Sequence, residues 1–404
     1  MLTRRTVLST FLSAGALSSI PLSARAATAF PMKSFLDDLD EIVRIDSKTG
    51  FAEGVDRVGD VFEKRFKSIG WTVTRPDAGD FGHAVLATNF KDQSKFDVLL
   101  CGHLDTAQPQ GNAAKYPLKV VGTQAHGAGV ADDKASITAI WWICRDLPQS
   151  ILKKLRIAVL LVPGEEVGGG DHDKAVIEYG GRAKYALVYE PGRPGGHFVR
   201  VRKGCTWLTV DFQGVAAHAG NNPQDGRNAI DALSLAVPKI NAVAAGFDGL
   251  TISTGVVKGG TVPNTVAAQA SVTFDMRYLR DSDRDAALAQ IEKLCKAGFA
   301  PGVTATVSYP YKGPAMAETE ASQNLRRIIQ DAAKDLGQPQ GDWLIVGGSS
   351  DGNVLSGAGV AVVDAMGVCG GNLHNPEKEY IDLATVEPRI ALGRKTLELL
   401  AKTL

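Results

Sequence analysis

The chain has 404 residues, 44% hydrophobic and 22% charged, with 44 Lys+Arg against 44 Asp+Glu and a formal net charge of zero. This is the composition of a globular chain long enough for two domains, and it argues against a disordered or collagen-like one. The balanced charge, with no basic cluster interleaved with aromatics, argues against nucleic acid or an anionic membrane as a partner.

The first residues read as an address, outside the fold. Thr3-Arg4-Arg5-Thr6-Val7-Leu8 carries two adjacent arginines, an apolar stretch runs from Phe11 to Leu22, and Ala24-Arg25-Ala26 offers a small-x-small cleavage pattern. Residues 1–26 are therefore expected to be a twin-arginine export signal, which predicts a periplasmic protein. The run is too short for a membrane anchor and holds Pro21 and several Ser. No later segment reads as apolar enough to span a bilayer. Five cysteines at scattered positions form no Cys-x-x-Cys pair, so they predict buried thiols and no disulfide framework.

Apolar spacing predicts helices from Phe35 to Ile45 and from Val55 to Ile69, the second stopped by Gly70. Strands are expected at Trp71 to Thr74 and Ala84 to Ala87. The run Val98-Leu99-Leu100 reads as a buried strand that ends in Gly102-His103-Leu104-Asp105-Thr106. Gly127 to Lys134 then leads, with the adjacent acids Asp132 and Asp133, into a helix from Ala135 to Leu147. The strand Leu155 to Val162 ends in Pro163-Gly164-Glu165-Glu166-Val167-Gly168-Gly169, and the strand Ala186 to Tyr189 ends in Glu190-Pro191-Gly192. Three apolar strands thus end in candidate ligands. Sites in open α/β sheets form outside the carboxyl ends of the strands.

From about Lys203 the texture changes to half-exposed strands and amphipathic helices, in the order strand, helix, strand, strand, helix, strand. That order predicts an antiparallel α+β insert over residues 203–315, between catalytic segments at 27–202 and 316–404. After Pro314 a helix from Ser322 to Leu336 is followed by Gly347-Gly348-Ser349-Ser350-Asp351. Then come Ala361 to Asp364, Gly370-Gly371-Asn372-Leu373-His374 and a last helix, Leu383 to Leu400.

The candidate site collects His103, Asp132, Glu165, Glu166, Glu190 and His374. Mixed imidazole and carboxylate donors suit Zn²⁺, with Co²⁺ or Mn²⁺ as substitutes. The ligand count fits two ions better than one. His103 and Glu190 would serve one ion and Glu166 and His374 the other, with Asp132 bridging. Asp105 would orient the His103 ring from behind. Glu165, beside a ligand, is left free to take a proton from water.

These motifs, together with Gly129-Val-Ala-Asp132-Asp133-Lys134, resemble the co-catalytic zinc peptidases. That family includes glutamate carboxypeptidase (carboxypeptidase G), aminoacylase, acetylornithine deacetylase and succinyl-diaminopimelate desuccinylase. The resemblance implies a mixed-sheet α/β catalytic domain with a ferredoxin-like lid and dimerisation domain. It implies two Zn²⁺ per subunit on His103, Asp132, Glu166, Glu190 and His374, and a cis peptide between Asp132 and Asp133. Glu165 would be general base and then acid. Ala217-His218-Ala219-Gly220 resembles the family's Ser-His-x-Gly, whose His polarises the scissile carbonyl and comes from the partner in dimeric members; a homodimer follows. Asn264 in Gly259-Gly260-Thr261-Val262-Pro263-Asn264-Thr265, Arg277 in Asp275-Met276-Arg277, and Gly348 match segments that bind the substrate carboxylate.

The implied substrate is a small peptide or N-acyl amino acid, cut at the amide beside a free-carboxylate residue. Tyr189-Glu190-Pro191 looks most like the glutamate carboxypeptidases. Two departures bear on this. Glutamate-specific members carry an Arg next to the Pro after the last lid strand, where this chain has Gly313 before Pro314, with Lys312 or Arg200 as substitutes. The Ser before the lid His is Ala217. The alternatives are an N-acyl amino acid amidohydrolase, which shares every motif, and a non-catalytic zinc-binding relative. His83, His172 and His197 are expected in surface loops, and His126 away from the site.

Overall fold

The structure, a computed structural model, describes residues 30–403. The expected twin-arginine signal, residues 1–26, lies outside the described residues. Helices α1 (Met32–Val43) and α2 (Ala52–Ser68) each bury one stripe: Phe35, Leu39 and Ile42 on the first, Val55, Val58, Phe62 and Phe66 on the second. Spacings of three and four residues place these side chains on one face. Strands β1 (Thr72–Thr74), β2 (Val85–Thr88) and β3 (Phe96–His103) follow, then helix α3 (Ala135–Arg145) and strands β4 (Ile157–Val162) and β5 (Ala183–Val188).

The chain then builds a separate unit from β6 (Gly204–Gln213), α4 (Ala229–Ala242), β7 (Thr251–Gly259), β8 (Gln269–Tyr278), α5 (Asp281–Ala297) and β9 (Thr304–Gly313). It returns with α6 (Glu320–Asp335), β10 (Ala361–Val363) and α7 (Val386–Thr403). The central sheet runs β1-β2-β4-β3-β5-β10. Strands β4, β3, β5 and β10 are parallel; on one edge β2 pairs antiparallel with β4, and β1 antiparallel with β2.

The middle strands are apolar throughout because both faces are covered. Val98 and Leu100 of β3 and Val159 and Leu161 of β4 face a core shared with Phe35, Phe62 and Trp142. The alternate residues Leu99, Cys101, Ala158 and Leu160 face a second core with Val354 and Leu355. Each fully buried Leu or Val contributes ~1.5–3 kcal/mol. His103 pairs with Val162, and Cys101 with Val188, so the three strand ends finish level on one edge.

The inserted unit has the order β7-β8-β6-β9, antiparallel throughout. One face is buried: Ala270, Val272, Phe274, Met276 and Tyr278 alternate along β8 beneath α4 and α5. This is the separate antiparallel sheet that the strand-helix pattern implies. Helix α4 corrects one expectation. Residues Ala229–Gly246 form an 18-residue stretch of mean hydropathy 1.2, long and apolar enough to cross a membrane by length and composition alone. Alanines raise its hydropathy. In the structure Ala229, Ala232, Leu233, Ala236 and Ile240 of α4 are buried, and the helix packs on the lid sheet.

The sequence also conceals a small sheet, made of Lys119–Val121, Gln124–His126, Gly370–Gly371 and Tyr380–Asp382. Strands this short show no periodicity. All five cysteines are buried and free.

Candidate active site

Neighbouring parallel strands deliver most of the site. His103 ends β3, Glu165 and Glu166 follow β4, and Glu190 follows β5. Asp132 comes from the turn before α3. Gly129 opens that turn at φ 67°, and a Cβ there would meet Thr106 Cγ2 at 2.5 Å, so only glycine fits. The Asp132–Asp133 peptide is cis. His374 arrives from a distant loop with its own φ at 65°, an uncommon value for a residue with a side chain.

The Asp132 carboxylate faces two ways. Its Oδ1 lies 3.0 Å from His103 Nε2, which is 3.9 Å from Glu190 Oε1. Its Oδ2 lies 3.3 Å from His374 Nε2, which is 3.1 Å from Glu166 Oε2. Two ligand groups therefore share Asp132: His103, Asp132 and Glu190, and Asp132, Glu166 and His374, each with its donor atoms within 4.8 Å of one another.

Buried acceptors hold these ligands in place. Asp105 is fully buried; its backbone carbonyl lies 3.0 Å from His103 Nδ1 and its carboxylate Oδ1 3.4 Å from the same nitrogen. It also accepts the backbone N–H of Glu165 (3.1 Å) and of Glu166 (3.2 Å) and the Thr49 hydroxyl (2.7 Å). One residue thus holds the ring of one candidate ligand through its carbonyl and the loop of another through its carboxylate. Glu166 Oε1 accepts the Ala107 N–H at 2.8 Å, leaving Oε2 to face His374. The Glu165 carboxylate belongs to neither ligand group and lines the open cleft.

Burial and the neighbouring Glu190 push the Glu165 carboxyl well up from the usual range. Burial and Asp132 push Glu190 up to about 8. Hydrogen bonds to the Asp132 and Glu166 carboxylates push His374 up to about 10. Burial opposes ionisation of Asp132, but His103 and His374 outweigh it and hold the carboxyl well below its ordinary value. Without added positive charge, Glu165 and Glu190 keep their protons to higher pH than free carboxyls do. Imidazole nitrogens and carboxylate oxygens in two groups with a shared bridge suit a pair of divalent ions.

A cleft of about 500 Å³ opens over the ligands. Gly348, Ser349, Ser350 and Asp351 line it, as do Arg277, Trp207 and Tyr311 from the inserted unit. His218 and Asn264 are not brought there within one chain. His218 is exposed, its Nδ1 accepts the N–H groups of Gly220 and Asn221, and its backbone pairs with Thr265 beside Asn264. The two candidate substitutes for the missing arginine are also elsewhere: Lys312 pairs with Asp285 at 3.3 Å and Arg200 with Glu318 at 3.0 Å.

His172 corrects an expectation. It is buried, its Nε2 lies 2.8 Å from Asp351 Oδ1, and it lines the cleft. The helix Gly170–Ala175 that carries it has no apolar pattern to reveal it. His83 pairs with Asp56, and His197 accepts the Asp342 N–H. His126 packs near the Tyr380 ring in the small sheet.

Glu379 escapes sequence reasoning altogether. It is fully buried and accepts the N–H groups of Gly129 (3.2 Å), Ala131 (2.9 Å) and Asp132 (3.1 Å), and the Gln108 amide (3.0 Å). It therefore pins the turn that carries Asp132. Burial pushes its carboxyl up to about 7. The two partners stand 247 positions apart, with no motif to join them.

A mixed sheet whose strand ends present ligand groups joined through one carboxylate defines a metallohydrolase of the peptidase and amidohydrolase class. Comparison with known proteins agrees. The sequence model of Peptidase family M20/M25/M40 matches residues 99–399, and the chain belongs to that family. It is 28% identical to carboxypeptidase G2 of Pseudomonas sp. (strain RS-16) over 362 residues, 89% of this chain and 87% of the relative. Among solved structures it resembles the aminopeptidase PepT of Bacillus cereus, with a TM-score of 0.76 at 22% identity, covering 92% of this chain and 99% of that one. It also resembles the Bacillus subtilis YXEP protein, described as a dinuclear metal binding peptidase, with a TM-score of 0.65 at 15% identity, covering 92% and 99%.

Proposed function

We propose that the protein is a di-zinc hydrolase that cleaves the amide bond beside an amino acid with a free carboxylate, releasing that amino acid as a glutamate carboxypeptidase does. The observation that carries this is the Glu165 carboxylate, in the cleft and outside both ligand groups. His103, Asp132 and Glu190 would hold one ion, and Asp132, Glu166 and His374 the other. Divalent ions there acidify water and polarise a scissile carbonyl. Glu165 takes the proton from the attacking water and returns it to the leaving nitrogen. Arginines in the cleft hold the substrate carboxylate. The named relative carboxypeptidase G2 supports this reading.

A second reading, an N-acyl amino acid amidohydrolase for apolar or aromatic residues, has its own support. A Cβ at residue 313 would meet the Tyr311 hydroxyl at 2.5 Å, so Tyr311 fills the room that a side chain there would need. The Tyr311 and Trp207 rings, 5.4 Å apart, make this wall of the cleft aromatic. Neither Lys312 nor Arg200 replaces the missing one, because both are paired elsewhere.

The proposal includes a homodimer whose partner supplies His218 and Asn264. Exposed Val256 and Val257 on β7, an edge strand, and exposed Ile230 and Leu235 on α4 support it. It also includes export to the periplasm through Arg4 and Arg5, read out by retention of an Arg4→Lys, Arg5→Lys double variant in the cytoplasm.

The deciding experiment follows amino-acid release from N-acyl-Glu and N-acyl-Phe by the apo-protein, before and after Zn²⁺ is added. Zinc-dependent release of Glu supports the first reading. Release of Phe with Glu poor supports the second. No release from any acyl or peptidyl substrate overturns both.

A further inference from the structure

Beside the ligand loops lies a second cavity, of about 420 Å³, which shares no lining residue with the cleft. The turn after Glu190 divides the two: Arg193 lines the cleft, while Pro194, Gly195 and Gly196 line the cavity. Hydrogen bonds close that turn, from the Arg193 N–H to the His197 carbonyl (3.2 Å) and from the Gly196 N–H to the Arg193 carbonyl (3.0 Å). Cys369 and Gly370, ahead of His374, form another part of the wall. Pro339, Pro388 and Leu392 add apolar surface, and the exposed Ala384 stands at the rim. A cavity of this size suits a small organic molecule.

One lining side chain is a buried cation without a counter-charge. Among the described residues two arginines are buried, Arg202 and Arg389. Arg202 faces carboxylates, Asp364 at 2.6 Å and Glu190 at 3.7 Å. Arg389, in the first turn of α7, has neutral partners instead: the carbonyls of Ala365 and His197, each at 3.3 Å, and the Cys369 thiol at 3.4 Å. These use three of the five guanidinium N–H donors and leave two. The guanidinium also lies 4.1 Å from the centre of the Phe198 ring. The buried Lys134 is a different case, since the charges of Asp46 and Glu379 act on it.

Taking a charge out of water is costly, so buried charges are normally paired. Long hydrogen bonds and a cation–π contact offset only part of that cost. Asp382 is the acid in the cavity wall, but it forms no ion pair with Arg389, and its Oδ1 accepts the Ala384 N–H at 3.0 Å.

We propose that this cavity binds a small organic carboxylate with an apolar body, its charge resting on Arg389. An inorganic anion would satisfy Arg389 but leave the apolar walls wet, and an uncharged ligand would do the reverse. Both products of the hydrolysis proposed above, the amino acid and the acyl acid, carry a carboxylate. An amino acid would also bring an ammonium to the cavity that Asp382 lines. The site does not depend on that reaction, and its test needs no turnover.

The test is calorimetry on the zinc-loaded full chain with phenylalanine, phenylacetate and inorganic phosphate, repeated on Arg389→Met and Ala384→Trp. The first variant removes the charge and keeps most of the bulk. The second blocks the rim from an exposed position. Phenylalanine or phenylacetate is expected to bind about once per chain, and each variant to weaken that binding roughly 10- to 100-fold. Binding of phenylalanine alone assigns the site to the amino acid, and of phenylacetate alone to the acyl acid. Equal binding of both shows that the carboxylate and the apolar body suffice. Binding of neither, weakening in only one of the two folded variants, or phosphate bound as tightly as the organic acids overturns the proposal. If Arg389→Met does not fold, Ala384→Trp decides alone: lost binding supports the cavity, and retained binding overturns it.

Discussion

The two walls of the cleft are built to different standards. On the strand-end wall three of the candidate ligands are braced by buried groups: His103 by Asp105, Glu166 by the Ala107 N–H, Asp132 by Glu379 through its own backbone N–H. On the lid wall the side chains are half-exposed, Arg277 is tied to its neighbour Asp275, and His218 and Asn264 stand outside the cleft. Metal ligands need sub-ångström placement, which buried hydrogen bonds on a rigid sheet provide. Groups that recognise a substrate can sit on a mobile or separate surface and close on it later. The candidate ligand groups are assembled within one chain; His218 and Asn264, proposed for recognition, stand outside its cleft.

The sharpest way to test that contrast is to remove the proton carrier and keep the ligands. Glu165→Gln should lower kcat by roughly 10²–10⁴-fold while metal content by elemental analysis stays at the wild-type level. Loss of metal together with activity would move Glu165 into the ligand set. On the lid side, His218→Ala should lower kcat by roughly 10²–10³-fold if it supports the developing oxyanion. Mixing Glu165→Gln with His218→Ala chains should then recover about a quarter of wild-type activity, since half the sites in each mixed dimer are intact. No recovery after subunit exchange would mean that the site does not cross between copies.

Asp105→Asn should weaken zinc affinity by roughly 10- to 100-fold in a chelator competition, because it removes the charge that lies 3.4 Å from the His103 ring and that accepts both N–H groups of the Glu165-Glu166 loop. An unchanged affinity would show that the strand-end wall does not depend on this brace. Metal uptake should also follow pH. Without metal, His374 holds its proton up to about 10. An ion entering beside His374 must displace that proton, so its affinity should climb by about tenfold per unit as pH rises from 6 to 8, with protons released in an unbuffered titration. The smallest expected effect is on the lid exterior. Lys312→Ala breaks an exposed pair with Asp285 and should change stability by under about 1 kcal/mol in a denaturant titration, with no change in KM. A rise in KM specific to Glu substrates would restore Lys312 to the site.

Much of the strand-end wall is legible in the amino-acid sequence. His103, Glu165, Glu166 and Glu190 follow continuous apolar strands, and a buried parallel sheet aligns such strand ends by its own hydrogen bonding. Their residue types then name the chemistry. The order of strands and helices in the insert likewise implies an antiparallel sheet under two helices, because alternation and helical spacing are local properties. What the tertiary structure alone decides are the partners that meet across long separations without periodicity. Glu379 reaches the Asp132 turn from the position just before a three-residue strand, His172 turns inward against Asp351, and Tyr311 takes the space over Gly313.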